Sequence, residues 1–309
     1  MIYFHSSIDI KIEGRKIKLM KNGVFYSLLT AILFVTLEPV SKLIADSVNP
    51  FAITFWRFFA ASLILVPWAI AKIKKDKIHI SPIDIGRMAL LGILFICISM
   101  LSIQVAVKQA DSPALIAIIF SANSVFTIFF SILINKEKIT NNKIIALLLG
   151  IIGVVLCADF SAGSNLTSIL LAIFSALTFS LYTVLSQKYT KKIGGIVQSA
   201  IVFLTGSIIL LLFLLFAGVD VSVPFESKPL LILLYLGFLV TGIGYASYFK
   251  AIEKGGAIMA SLAFFAKPIL TPFATFFING IIPAPKVFLS VLCIVAASYF
   301  AVYYKKTKA

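Results

Sequence analysis

Long apolar segments, separated by short polar connections, follow one another along almost the whole chain. Most of them hold about 20 residues, which is the length that an α-helix needs to cross roughly 30 Å of hydrocarbon. The pattern therefore predicts an all-α polytopic membrane protein with ten transmembrane helices. The predicted helices cover approximately residues 24–43, 50–72, 85–106, 112–134, 143–158, 166–187, 196–217, 229–249, 257–279 and 287–304.

The composition supports this class of protein. Hydrophobic residues make up 61% of the chain and charged residues 13%, whereas a soluble domain has about 45–50% apolar and about 25% charged residues. A water-soluble core cannot bury so large an apolar fraction. The connections are also too short to hold a soluble catalytic or signalling domain.

The 27 Lys and Arg residues are distributed unevenly between the two predicted sides of the membrane. The two tails and the connections after the second, fourth, sixth and eighth helices carry twenty-one of them, and the other connections carry three. Because positive charge in short loops tends to stay in the cytoplasm, both termini are predicted to be cytoplasmic in the cell (inner) membrane. The net charge of +15 is thus a topology signal that also attracts the anionic headgroups of the lipid bilayer. No nucleic-acid partner is predicted.

The two ends of the chain are predicted to be cytoplasmic tails, at residues 1–23 and 305–309. Met20 directly precedes Lys21-Asn22-Gly23, and residues 1–19 have no periodic apolar pattern. Either Met1 or Met20 is therefore a possible start of the protein.

Two parts of the chain repeat one another weakly. Gly92 and Ala106 recur 145 positions later as Gly237 and Ala251. We therefore predict a first repeat at 24–158 and a second at 166–304. Since each repeat has five helices, an odd number, the second must enter the membrane from the opposite side, which is typical of inverted-repeat transporters. A second set of identities lies 144 positions apart: Phe120, Ala122, Thr127, Phe129, Ile134 and Asn135 recur as Phe264, Ala266, Thr271, Phe273, Ile278 and Asn279.

Several short motifs suggest a family. They are Glu38-Pro39-Val40-Ser41-Lys42, Pro50, Phe55-Trp56-Arg57-Phe58, the Ala106, Lys108 and Ala110 set, Asn135-Lys136-Glu137-Lys138-Ile139-Thr140 before Gly150-Ile151-Ile152-Gly153, and Ala266-Lys267-Pro268-Ile269-Leu270. With these motifs the chain resembles the EamA-type members of the drug/metabolite transporter superfamily over roughly residues 23–304. The resemblance implies ten helices around a central cavity, and export of amino acids or other small metabolites by alternating access. The chain departs from the family pattern after the ninth helix, where Gly280-Ile281-Ile282 replaces a frequent Gly-Glu pair.

Four ionisable residues fall inside the predicted helices: Glu38, Lys42, Arg57 and Lys267. A charge in the membrane is costly and usually marks a transport pathway or a paired structural element. Lys42 can pair with Glu38 at spacing i, i+4, or it can extend to the outer interface. Arg57 can close an external gate, hold Glu38 or contact an anionic group. Glu38 is either the residue that couples transport to protons or a permanent countercharge to Lys42 or Arg57.

Lys267 lies near the middle of the ninth helix, too far from either interface to reach water easily. One interpretation is that it lines a central cavity opposite its repeat partner, Asn123. The alternative is a neutral amine that bonds backbone carbonyls freed by Pro268 and Pro272, since proline interrupts the helical ladder. Both prolines are also candidate hinge residues.

Other polar residues lie at helical positions where they could face the same axis. Gln104, Tyr182, Tyr245 and Tyr248 are candidate substrate contacts. Gly242 and Gly244 are candidates for a hinge or for a close approach of helices.

Chemistry by the protein itself is not expected. His5 and His79 lie in a tail and a loop, and Cys97, Cys157 and Cys293 are dispersed over separate helices. This distribution predicts no metal site. The chain also has no Gly-rich ATP-binding loop and no predicted cofactor, so it is not predicted to be an enzyme or a primary pump.

The resulting hypothesis is a secondary transporter that exports a small polar metabolite, an amino acid or a related carboxylate. Three intramembrane cations against one acid favour an anionic or zwitterionic cargo, and protons are a candidate coupling ion. A lipid or polyprenyl-phosphate flippase and a membrane scaffold without transport activity are the alternatives. The sequence leaves the substrate, the coupling ion, the direction of transport and the oligomeric state open.

Overall fold

The computed structural model describes residues 23–157, 165–223, 227–261, 263–282 and 285–303. Within these ranges the chain forms helices and no strand. We number the helical segments in chain order as α1 (Gly23–Lys42), α2 (Pro50–Asp76), α3 (Pro82–Gln109), α4 (Pro113–Ile134), α5 (Asn141–Cys157), α6 (Leu166–Ile193), α7 (Gly195–Phe216), α8 (Ser227–Ala257), α9 (Ala263–Asn279) and α10 (Pro285–Tyr303).

Seven of the described segments, α1 to α4 and α6 to α8, are long and apolar enough to cross a membrane. This finding confirms an all-helical multi-pass protein. The other segments, α5, α9 and α10, are helical but shorter or less continuously apolar within the described residues. That they also cross the membrane stays a prediction. The predicted tails, with His5 and both possible starts, lie outside the described residues.

The starts of α2 and α3 follow from local sequence chemistry. The side chain of Asn49 accepts a hydrogen bond from the backbone of Phe51 at 3.0 Å, and Pro50 occupies the first helical position, where its missing N–H costs nothing. Before α3, Ser81 and Asp84 form a reciprocal capping box around the first turn. Both caps satisfy backbone donors that a helix start leaves free.

Several helices extend further than the hydrophobic pattern predicted, and α2 and α6 show one reason. Helix α2 ends at Asp76 instead of residue 72, and α6 ends at Ile193 instead of residue 187. The added turns carry lysines, including Lys74 and Lys75 in α2. Lysines near a helix C-terminus interact favourably with the helix dipole, so these helices continue beyond their apolar parts.

Helices α3 and α8 share an irregularity at equivalent places in the two predicted repeats. Each contains a wider π-helical stretch, at Ile93–Met100 in α3 and at Tyr235–Ile243 in α8. Such stretches are rare and often lie at functional sites. Their recurrence supports the duplication that the sparse sequence identities indicate.

The duplication relates each helix of the first repeat to the helix five places later. Contacts between helices occur in pairs that this relation exchanges. Helix α3 packs on α7, and α8 packs on α2. In the same way α1 packs on α9 while α6 packs on α4, and α5 pairs with its counterpart α10. The repeat-related glycines make equivalent contacts: Gly92 lies against Val202 and Gly206 of α7, and Gly237 lies against Ala60 of α2. Each half of the chain therefore completes the packing of the other.

Substitution of Gly92 by Ala tests this packing. A Cβ atom at Gly92 would lie 2.9 Å from the backbone carbonyl oxygen of Val202, and a backbone atom cannot move aside as a flexible side chain can. We expect Gly92→Ala to lower the free energy of unfolding by about 1–3 kcal/mol, as overpacking does. Gly86→Ala in the same helix is the control, because a Cβ atom there meets nothing within 4 Å. Unfolding of the purified variants in detergent measures both, and equal stability would contradict the close approach of α3 and α7.

Candidate functional site

Aromatic rings fill the centre of the helix bundle. Tyr182 stacks on Phe95 with ring centroids 4.4 Å apart, and Tyr245 lies 4.6 Å from Phe34. The hydroxyl groups of Tyr248 and Thr183 share a hydrogen bond of 3.0 Å. The structure therefore brings the three tyrosines that the sequence singled out into one buried core, while a role in cargo binding stays a prediction. The rings of this core belong to Phe34, Phe58, Phe95, Phe120, Phe179, Tyr182, Phe203, Tyr245, Tyr248, Phe249 and Phe264.

A buried ion pair joins α1 to α9. The ammonium group of Lys267 donates to Oε1 of Glu38 at 2.5 Å, and the two side chains are 0% and 1% exposed. The prediction that Glu38 pairs with Lys42 or Arg57 is therefore wrong, and so is the alternative that Lys267 bonds only freed backbone carbonyls. Sequence spacing could find only local partners, whereas these two residues are 229 positions apart.

The ammonium group of Lys267 also lies over two aromatic rings. Its Nζ atom is 5.2 Å from the centroid of Phe120 and 5.9 Å from that of Phe264. These two phenylalanines occupy equivalent positions in the repeats, and their rings meet edge to face at 5.7 Å. A cation over an aromatic face is stabilised by the ring quadrupole. Lys267 therefore lies where the two repeats contact each other.

Asn123, the repeat partner of Lys267, is fully buried at a break in α4. Its amide nitrogen donates to the carbonyl of Phe120 at 2.8 Å, and its backbone carbonyl accepts from Ser180 of α6. Its side-chain oxygen has no hydrogen-bond partner among the described residues. Asn123 thus lies beside the ring that Lys267 covers, and it offers one free acceptor.

Lys42 caps the end of α3. Its ammonium group donates to the carbonyl oxygens of Lys108 at 3.0 Å and Ala110 at 2.8 Å. These carbonyls lie at the C-terminal end of a helix, where orphan acceptors and the helix dipole favour a cation. Lys42 therefore connects the ends of α1 and α3 by hydrogen bonds, and it does not neutralise Glu38.

Arg57 joins three helices at the centre of the bundle. Its Nε atom donates to Thr241 of α8 at 3.1 Å, and its Nη1 atom donates to Oε1 of Gln104 in α3 at 3.3 Å. The guanidinium group also lies 5.2 Å from the ring of Phe58. Glu38 acts on Arg57 only as a nearby charge, because no carboxylate of the described residues lies within 4.0 Å of the guanidinium group. The interpretation that Arg57 holds Glu38 directly is wrong, and Thr241 is a partner that the sequence did not indicate.

Glu38, Lys267, Arg57 and Gln104 form a buried charged cluster, and three of its polar atoms have no hydrogen-bond partner among the described residues. Nη2 of Arg57, Nε2 of Gln104 and Oε2 of Glu38 are buried and have no hydrogen-bond partner among the described residues. Each such atom costs about 1–3 kcal/mol. The cluster also has two buried cations, Arg57 and Lys267, for one buried carboxylate. It can therefore accept a ligand that brings hydrogen-bond acceptors and negative charge.

The candidate hinge residues lie next to this cluster. Pro268 and Pro272 are both inside α9, which stays helical through them. A Cβ atom at Gly244 would lie 2.8 Å from the Phe34 ring, and one at Gly242 would lie 3.3 Å from the Gly237 carbonyl. The structure thus confirms a close approach at Gly244, and hinge motion at these four positions stays a prediction.

Hydrogen bonds bridge the helices at both ends of the bundle. At the end that contains the α1–α2 connection, Trp56 donates to the carbonyl of Val221 at 2.9 Å and Asn279 donates to that of Pro39 at 3.1 Å. At the opposite end, Lys192 forms an ion pair of 2.6 Å with Asp84. There, the Gly195 backbone donates to Glu253 and Asn135 donates to Gln187. Two residues of the charged cluster, Glu38 and Arg57, are chain neighbours of Pro39 and Trp56 in the first of these two sets.

Removal of one member of the central ion pair should destabilise the protein strongly. Glu38→Gln leaves Lys267 as an uncompensated buried charge, which costs about 3–5 kcal/mol of unfolding free energy. The double variant Glu38→Gln, Lys267→Met removes both charges, so it should recover most of this loss. Unfolding in detergent at neutral pH measures both.

The matched control is Asp76→Asn. Its ion pair with Lys72 is 34% and 42% exposed, and such pairs contribute about 0–1 kcal/mol. If Glu38→Gln and Asp76→Asn had equal effects on unfolding, the buried pair would not be a central element of the fold.

Comparison with known proteins relates this geometry to a family. The chain matches the EamA-like transporter family twice, over residues 21–158 and 166–303. A protein of Clostridium kluyveri described as an uncharacterized transporter is 35% identical over 270 residues, which cover 84% of this chain and 86% of the relative. The uncharacterized transporter YdfC of Bacillus subtilis is 28% identical over 203 residues, or 65% of each chain.

A solved crystal structure shows that the fold itself is known. It superposes with a TM-score of 0.69 at 17% identity and covers 94% of this chain and 99% of the other. The double family match and the 35% identical relative agree with the motifs around Glu38, Arg57 and Lys267. The chain belongs to the EamA-like transporter family of the drug/metabolite transporter superfamily.

Proposed function

We propose that this protein is a secondary transporter that exports a small polar metabolite, an amino acid or a related carboxylate, across the cell (inner) membrane. The observation that carries the proposal is the buried cluster of Glu38, Lys267 and Arg57 at the contact of the two repeats. A membrane scaffold would gain nothing from buried charges with unsatisfied atoms, whereas intramembrane charges are common along transport pathways.

The proposed transport mechanism is alternating access of a ten-helix bundle made of two inverted repeats. The π-helical stretches at equivalent places and the interchanged packing pairs support the repeat, and an odd number of helices in each repeat would invert the second one. In the sealed arrangement, bridges close the bundle at both ends. Opening of the end that contains the α1–α2 connection would break the hydrogen bonds of Trp56 and Asn279. Pro268, Pro272, Gly242 and Gly244 would absorb the backbone change.

Glu38 is the residue that we propose for coupling to protons. It is the buried carboxylate of the cluster, and its ion pair with Lys267 joins helices from different repeats. Protonation of Glu38 would remove the attraction that holds α1 to α9. A proton would thereby change the contact on which the closed arrangement depends.

Uptake by inverted membrane vesicles tests the proposed function. We expect vesicles with the wild-type protein to take up at least one labelled compound from a panel of amino acids and small carboxylates, and to do so faster when a pH gradient is imposed. Lys267→Ala should abolish this uptake because Glu38 loses its countercharge. Lys188→Ala, which removes an exposed lysine near the end of α6, is the control and should leave uptake unchanged.

Each negative result rejects a different part of the proposal. If the rate of uptake does not depend on the imposed pH gradient, only the proposed proton coupling is rejected. No uptake of any compound above that of empty vesicles would reject the exporter, and activity on labelled lipids in the same vesicles would favour the flippase. If Lys267→Ala does not fold, the double variant Glu38→Gln, Lys267→Met takes its place.

The predicted topology has a separate test. Asp46 lies in the connection after α1 and His79 in the connection after α2, and both residues are exposed. With both termini in the cytoplasm, Asp46→Cys should react with a membrane-impermeant maleimide in intact cells, and His79→Cys should react only after the membrane is opened. The reverse pattern would contradict the orientation that the positive charges predict.

A further inference from the structure

The guanidinium group of Arg57 is fixed in orientation but only partly used. Thr241 binds its Nε atom and Gln104 binds its Nη1 atom, so these two contacts set the plane of the group. The remaining atom, Nη2, is buried and has no hydrogen-bond partner among the described residues. This buried arginine therefore keeps one nitrogen whose N–H groups have no hydrogen-bond partner among the described residues.

Gln104 supplies a second free donor beside it. Its Oε1 atom accepts from Arg57, which leaves the amide nitrogen Nε2 without a hydrogen-bond partner among the described residues. Arg57 and Gln104 are both 1% exposed, and they come from neighbouring helices. The two free donors belong to side chains that are hydrogen-bonded to each other, and a charged donor such as arginine binds carboxylate oxygens strongly.

The charges of the cluster limit the net charge of the ligand. Glu38 and Lys267 neutralise each other in their ion pair, so the charge of Arg57 is left over. A ligand with one net negative charge would bring the cluster to neutrality. A zwitterion would leave one positive charge buried, and a dianion would leave one negative charge buried, each of which is unfavourable at low dielectric.

We infer that Arg57 and Gln104 bind the carboxylate of the cargo and that the cargo is a monoanion, such as a 2-hydroxy or 2-oxo acid. The inference rests on the proposed function and specifies its substrate class. The free Oε2 atom of Glu38 would accept a hydrogen bond from a hydroxyl group of the cargo. Arg57 is then a cargo contact, which replaces its interpretation as a gate.

A binding test compares three related molecules: 3-phenyllactate, phenylalanine, and phenethylamine, which is phenylalanine without its carboxyl group. The series lactate, alanine and ethylamine repeats the comparison at smaller size. A ligand that binds only the folded protein raises its unfolding temperature in a concentration-dependent way. For the purified wild-type protein we expect 3-phenyllactate or lactate to bind at least tenfold more tightly than its amino acid, and the amines to have no effect.

Three variants assign the effect to the proposed contact. Arg57→Gln should weaken binding of the hydroxy acid at least tenfold, and Gln104→Met should weaken it while Arg57 is still present. Arg57→Lys keeps the charge but loses the planar fork, so it should restore only part of the affinity. Arg87→Gln removes the same charge from an exposed position at the start of α3, and it should bind like the wild type.

The outcomes separate this inference from the proposed function. Uptake of phenylalanine or alanine at rates equal to those of the hydroxy acids, unchanged in Arg57→Gln, would overturn the inference and leave the exporter intact. If no member of either series binds or enters the vesicles, the inference is overturned. Binding that depends on Arg57 but without uptake would support the carboxylate site and count against the exporter. If Arg57→Gln does not fold, Gln104→Met carries the same comparison.

Discussion

The fold depends on the need to compensate charge inside an apolar bundle. Glu38 and Lys267 come from opposite halves of the chain, and each would be prohibitively costly to bury alone. Their contact therefore fixes α1 against α9. The edge-to-face pair of Phe120 and Phe264 packs against the ammonium group of Lys267. The repeats contact each other at several helix pairs, and at this one neither half can be removed without leaving a buried charge unpaired.

The two repeats share π-helical stretches and packing pairs at equivalent places, but their charges differ. At a spacing of 145 positions, Glu38 corresponds to Thr183 and Arg57 to Val202, while Lys267 corresponds to Asn123 at 144. Equivalent positions thus hold a charge in one half and a neutral side chain in the other. In the proposed mechanism, the two repeats would exchange between two related arrangements. The unequal charges would then allow cargo or protons to favour one of them, since only a differential interaction shifts such an equilibrium.

The sequence predicted the all-helical multi-pass class and the approximate positions of the helices, because apolar length can be read without knowing the fold. The orientation that the lysines indicate stays a prediction. The sequence also identified the ionisable residues of the site, for the same reason. It assigned the wrong partner to Glu38, since Lys42 is the nearest cation along the helix and Lys267 is distant in sequence. Thr241 was missed because a single threonine in an apolar helix carries no signal until α8 is packed against Arg57.

The unsatisfied atoms explain how a ligand could control the ends of the bundle. Without cargo, Arg57, Gln104 and Glu38 each keep a buried polar atom unpaired, and together these atoms cost a few kcal/mol. The bridges at the two ends are hydrogen bonds worth about 1 kcal/mol each. In the proposed mechanism, a cargo that pairs these atoms would shift the balance between the two ends only if it interacts more favourably with one arrangement than with the other. The incomplete pairing of the cluster is the property that would give a cargo this differential interaction.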